Sequence, residues 1–466
     1  MNLDLSNLTI SLAQEQLQRK EFTALELASA CLHLIQHLNP TYHAFINFTP
    51  DLAVQAAIQA DGLIRNPDFI LNEMALLGIP IGIKDLVNVA GVATTAGSRF
   101  VFKEMSDEDA PLVSKIKLSG GAVVGKTNLH EIALGVTGVN PHFGTVKNPW
   151  EASCISGGSS SGSAVAVSLG MCLGAVGTDT GGSIRIPAAL CGVVGLKPSY
   201  GRVSLRGVVP LSWNLDHAGP ITRTVQDAAL MLSVMAGYDK EDPASIDIPD
   251  EDYHVNLSVG INGWRVALAT GSYFESVDSE IQTAVRQAAE VLKNLGAQVD
   301  EIDLSWIEEL ALANSRMTQA DGAAFHRERL NNQPEMFGAD VLQRLQTGAN
   351  LSSSDYALAR RTQVEGRRRF ENYFEKYEIL ILPTTPIPAP LIDGTGAIEA
   401  ARQLTRFTAP FNLTGLPALT LPCGFTKAGL PIGLQIVSKP WAEKKVLQAG
   451  FAYEQATEWH NKHPKF

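Results

Sequence analysis

Gly177-Thr178-Asp179-Thr180-Gly181-Gly182-Ser183-Ile184-Arg185-Ile186-Pro187-Ala188 is the most constraining stretch of this 466-residue chain. Two glycines before a serine permit a backbone bend that side chains would block. The N–H groups just before that serine can then converge on one concavity, and such a nest of donors stabilises an oxyanion. Upstream, Ser156-Gly157-Gly158-Ser159-Ser160-Ser161-Gly162-Ser163 again sets Gly and Ser at defined places. Apolar blocks at Ala164–Val167 and Met171–Val176 interrupt the segment, so it reads as tight turns and close backbone approach, not as low complexity. The longest apolar run, Ala164 to Gly177, is too short and glycine-rich to span a bilayer and reads as a buried helix.

Working outward, strand and helix patterns alternate. Residues 1 to 62 read as helices, with Thr23 and Glu26 at capping-box spacing and Leu25, Ala28, Cys31 and Leu32 following on one face. Leu77 to Val87 reads as a strand and the turn that leaves it. Pro111 to Leu118 reads as a helix ended by Gly120-Gly121, and Ala122 to Val124 as a short buried strand. The acidic stretch Tyr238 to Tyr253, with two prolines, reads as a surface connection. Strands are expected at Trp264–Ala269, Gln298–Leu304, Glu378–Leu382, Ala418–Pro422 and Gly433–Val437. Helices are expected at Ile281–Leu295 and over most of 305 to 375. This alternation predicts a layered α/β fold.

The chemistry rests on a third segment, Gly78-Ile79-Pro80-Ile81-Gly82-Ile83-Lys84-Asp85. A serine at neutral pH needs a base to act as a nucleophile. None of the ten histidines lies in the three segments, whereas Lys84 ends an apolar run. Burial disfavours its ammonium form and makes it a competent base, with Ile81 and Ile83 expected to shield it. Taken singly, each residue has a plainer reading: Ser183 as a helix cap, Lys84 as an ion-pair residue, the Gly/Ser run as a turn. The combination of all three segments points to an enzyme.

Gly120 to Thr127 matches the phosphate-loop pattern G-x-x-x-x-G-K-[ST] in form. The residues before it look helical, and its interior, Ala-Val-Val, prefers a strand, so the nucleotide reading is rejected. A formal charge of −11 lacks the basic footprint of nucleic-acid binders, and Arg367–Arg368–Arg369 reads as a solvated helix face. Nucleic acid is therefore not expected as a partner. The odd set Cys31, Cys154, Cys172, Cys191 and Cys423 contains no C-x-x-C pair and fits a reduced, cytoplasmic protein. Met1 to Lys20 has no apolar core of signal-peptide length, and no membrane association is expected.

The stretch Gly157–Ala188 closely resembles the signature of the amidase signature family. The resemblance runs from about Leu77 to Val225 and from about Phe407 to Glu443, and takes in Gly125–Glu131 and Gly192–Pro198. It implies an α/β/α sandwich around a large mixed sheet, with one amidase domain over 1–466. Within that domain, residues 1–62 would be N-terminal helices, about 77–225 the signature core and about 305–350 a variable substrate-pocket region. It implies Ser183 as nucleophile, Ser159 as proton bridge behind a cis peptide bond, and Lys84 as base. It also implies an oxyanion hole from the N–H groups of Thr180, Gly181, Gly182 and Ser183. Asp179 and Arg185 are expected to pair and brace this loop.

Neither a metal nor an organic cofactor is implied. The partners would be a small-molecule amide and water, and the sequence is compatible with a homo-oligomer. Ser161 stands where many relatives have glycine and is not expected to disturb the proton relay. Leu205 to His217 resembles stand-alone amidases more than the glutaminase component of a tRNA-dependent amidotransferase, which is the alternative reading.

Overall fold

The computed structural model describes residues 3–66, 74–100, 107–249, 251–393 and 396–465. Eleven strands among them form one sheet: β1 (Phe45–Phe48), β2 (Pro80–Lys84), β3 (Ala122–Thr127), β4 (Gly174–Asp179), β5 (Val194–Lys197), β6 (His217–Thr222), β7 (Arg265–Thr270), β8 (Gln298–Asp303), β9 (Ile379–Pro383), β10 (Ala418–Phe425) and β11 (Pro431–Val437). Their spatial order is β1-β3-β2-β4-β6-β5-β10-β11-β9-β7-β8. β3, β2 and β4 run parallel, as do β9, β7 and β8, and the strands between these two groups pair antiparallel. The sheet is mixed, as expected.

Both faces are covered, which follows from the residues the strands carry. Side chains alternate across a strand. Val124, Ala175 and Ile221 accordingly join an apolar cluster with the helix Ser161–Ser168 and with Ala188 and Cys191. Their neighbours Val123 and Val176 join the cluster on the other side, with Met231 and Leu232 from the helix Val225–Met235 and Val446 and Leu447 from Glu443–Gln455. The result is a helix–sheet–helix sandwich.

Thr23 caps the helix Ala24–Tyr42 through the expected box: its side chain accepts from Glu26 N–H, and the Glu26 carboxylate accepts from Thr23 N–H at 2.8 Å. Leu27, Ala28, Cys31 and Leu32 form the buried face, and Leu25 is only partly buried. Residues 1 to 62 are not helical throughout, because Phe45–Phe48 is an edge strand paired with β3. Four residues without apolar alternation carry too little pattern to declare it. The apolar run Ala164 to Gly177 also divides. Its helix ends at Ser168, Gly170 turns the chain with φ 70°, and β4 begins at Gly174. The stretch from Tyr238 to Tyr253 contains no helix or strand, with Asp250 outside the described residues. Among the described residues no helix is long and apolar enough to cross a membrane.

Candidate active site

Three neighbouring parts of the sheet deliver the site. Lys84 is the last residue of β2 and is fully buried. Ile81 and Ile83 point to the opposite face, into the cluster beneath the sheet, so they do not shield Lys84 as expected. Its surroundings are polar instead: Nζ lies 2.7 Å from Ser159 Oγ and 2.7 Å from Thr178 Oγ1. Burial lowers the Lys84 pKa to about 7, and the nearby Asp179 and Asp216 carboxylates act against a further fall. Ser159 follows a cis peptide bond from Gly158 and is fully buried. Thr178, the penultimate residue of β4, is a partner that sequence reading did not single out.

Past β4 the chain enters the loop Thr180–Ser183. Gly182 has φ 134°, and a Cβ there would run into the Thr408 side chain, so only glycine fits. Two side chains hold the loop's carbonyls. Asn314 Nδ2 donates to Thr180 O at 3.0 Å, and Thr408 Oγ1 donates to Gly181 O at 2.6 Å. In a planar trans peptide the N–H points opposite to the C=O, so fixing the carbonyls also aims the amides. The N–H groups of Thr180, Gly181 and Ser183 have no partner among the described residues. Gly182 does not share this role. Its N–H donates to Asp179 Oδ1 at 2.7 Å, which takes it out of the expected set of free oxyanion donors.

Asp179 organises the loop from below. Its carboxylate also accepts from Ile184 N–H at 3.1 Å, and from Arg185 Nε and a terminal guanidinium nitrogen at 3.0 Å each. Burial alone would push its pKa up, but the Arg185 guanidinium holds it well below the carboxylate range. Arg185, itself fully buried, donates onward to Thr408 O, Gln435 Oε1 and Asn412 Oδ1. The expected Asp179–Arg185 brace is therefore a bidentate pair tied to three residues from distant parts of the chain.

Ser183 lines a cavity of about 470 Å³ together with Thr180 and Gly181. Its hydroxyl has no hydrogen-bond partner among the described residues, and the two serine segments meet through Ser160 N–H and Ser183 O at 3.1 Å. Catalytic hydrogen bonds often tighten only around substrate. The extra hydroxyl of Ser161 donates to Ser159 O at 3.4 Å, away from the Lys84 contact. From the expected pocket region 305–350 come Asn314, Ser315, Thr318, Gln319 and Arg344. A second contribution, Ile398 to Ala409, was not legible as pocket-forming.

Lys126, from the formal phosphate motif, lies inside β3 and is fully buried, with Nζ 2.8 Å from Asp85 and 3.0 Å from Thr94 Oγ1. A strand with its lysine neutralised in this way cannot wrap phosphate. Among the described residues no group of three or more His, Cys, Asp or Glu side chains is placed to hold a metal ion.

The family model described as Amidase matches residues 26–447. A component of the glutamyl-tRNA(Gln) amidotransferase of Acaryochloris marina is 38% identical, covering 98% of this chain and 99% of that protein. An amidase of Pseudomonas putida is 39% identical, covering 99% and 98%. Of solved structures, an amidase superposes with TM-score 0.85 at 34% identity, covering 96% of this chain and 99% of that one. The corresponding component of the Thermotoga maritima glutamyl-tRNA(Gln) amidotransferase superposes with TM-score 0.82 at 31% identity, covering 98% and 96%.

These findings correct the expectation that nucleic acid has no part: relatives as similar as the amidase belong to an enzyme named for a tRNA. The net charge of one chain reports only on its own surface, not on what an assembly containing it handles. The identities over the whole chain, 38% and 39%, do not separate the two kinds of relative. The match over most of the chain, the mixed sheet and the shared architecture make this chain a member of the amidase signature family and a hydrolase of that family.

Proposed function

We propose that this protein hydrolyses a carboxamide or related C–N bond through an acyl-enzyme on Ser183. The observation that carries this reading is the buried Lys84, with its pKa lowered to about 7 by burial and its Nζ 2.7 Å from Ser159 Oγ. A neutral amine there accepts the Ser159 proton while Ser159 takes that of Ser183. Ser183 Oγ attacks the carbonyl carbon, and the oxyanion is met by the N–H groups of Thr180, Gly181 and Ser183. The proton returns through Ser159 to the leaving nitrogen, and water repeats the cycle to release the acid.

A second reading, a glutaminase that works only within a complex, is favoured by the amidotransferase relatives. One experiment addresses both. The purified chain is treated with a fluorophosphonate and the label located by mass spectrometry. It is then screened for ammonia or amine release from glutamine, aliphatic and aryl amides, ureido acids and carbamates. Label on Ser183, absent in Ser183→Ala, is expected, with release by the chain alone. Equal labelling of Ser183→Ala would sink the nucleophile. A chain inert on every amide until other components are added would establish the second reading.

A further inference from the structure

We infer that His130 and Glu131 are positioning residues that lock one cavity wall to the helix that carries Arg344, and so set how tightly substrate is held. The inference rests on the proposed function.

The wall is Ala133 to Val136, which lines the same cavity as Ser183 and Arg344. It leaves β3 through two residues in the left-handed region, Ile132 at φ 45° and Ala133 at φ 60°. A β-branched residue there is strained, and such strain persists only where the surroundings over-determine it. Here they do. Ile132 N–H donates to Ala96 O at 2.7 Å.

The fully buried Glu131 carboxylate accepts from three separate segments: Ser98 Oγ, His142 Nε2 at 3.0 Å, and Gly338 N–H at 2.7 Å. His130 donates from Nε2 to Asp340 at 3.0 Å, with Nδ1 left to accept from Thr137 Oγ1 at 3.2 Å. The His130 ring lies where a side chain on Gly135 would be.

Gly338 and Asp340 sit at the start of the helix Ala339–Ala349, which carries Arg344. His130 N–H also donates to Ser159 O at 3.2 Å. Two adjacent residues thus join the proton-bridge segment, the strained wall and the helix that brings Arg344 to the cavity. Lys84 touches neither side chain, and the Asp340 contact is made by the His130 ring and not by the N–H that meets Ser159, so loosening that contact acts first on holding substrate.

Glu131 is too deeply buried for a safe test, so Asp340, about a quarter exposed, is the site of perturbation. Asp340→Ala removes the acceptor for His130, and Asp340→Asn keeps one. The readouts are the half-saturation constant and limiting rate for labelling of Ser183 by a fluorophosphonate, and deuterium uptake by residues 130–136. For Asp340→Ala the half-saturation constant should rise about tenfold, the size of one charge-assisted hydrogen bond, with the limiting rate within about twofold. Uptake at 130–136 should quicken while β3 stays protected, and Asp340→Asn, which keeps the acceptor without the charge, should restore both in part.

Unchanged constants, a fall in the limiting rate alone, or Asp340→Asn behaving like Asp340→Ala would overturn the inference. If wild-type protein took no label on Ser183, the proposed nucleophile would fall, and deuterium uptake would still decide the lock.

Discussion

Thr178→Val tests the environment of Lys84 most directly. Thr178 Oγ1 lies 2.7 Å from Nζ, as close as Ser159 Oγ does. Valine keeps the shape and deletes the oxygen. A hydrogen bond to a charged group is worth about 1.5–3 kcal/mol and one between neutral groups about 0.5–1.5 kcal/mol. The ammonium form of Lys84 therefore loses roughly 1–1.5 kcal/mol more than the amine, which lowers the pKa by about one unit. The Asp179 and Asp216 carboxylates that oppose the fall are untouched.

Because the neutral amine is the active form, the rate rises with pH through the Lys84 pKa, which lies at about 7 in the native protein. In Thr178→Val this acid limb should move about one pH unit lower. The assay is the rate of Ser183 labelling by a fluorophosphonate across the acid and neutral range, with Thr178→Ser as the control that keeps the oxygen. Circular dichroism and a melting curve check that the fold survives, since an unmet buried donor costs about 1–3 kcal/mol. A limb that stays in place, or moves to higher pH, would refute Lys84 as the titrating base.

Lys84→Ala should retain the fold and lose roughly 10²–10⁴-fold in turnover, together with the acid limb; near-normal turnover with the limb intact would identify another base. Arg185→Ala should destabilise the protein by about 3–5 kcal/mol in urea, because it strands the buried Asp179 carboxylate. The Asp179 pKa is depressed in the folded state, so its stabilising effect is present above the normal carboxylate range and is lost as pH falls through the folded value. Removing Arg185 should accordingly move acid unfolding to higher pH, and Arg185→Lys, which cannot form the bidentate pair, should not restore it.

What could be read from the sequence divides along a physical line. The segments around Lys84, Ser159 and Ser183 were legible because glycines and serines at fixed spacing restrict the backbone locally, and local restriction survives in one dimension. Thr178 was not legible: it is one more polar residue in a strand until β2 and β4 pair in parallel and bring it against Lys84. Gly182 shows the converse limit. Its place in the loop was evident, yet the direction of its N–H depended on Asp179, whose carboxylate is aimed by Arg185 and by the distant Asn412. The strands β1, β5 and β6 escaped notice because their pairing partners supply the stability that their own patterns do not announce. Site chemistry was thus easier to read than the orientation of its atoms, because reactive groups are carried by residue types whereas their aim is set by contacts that form only when the sheet closes.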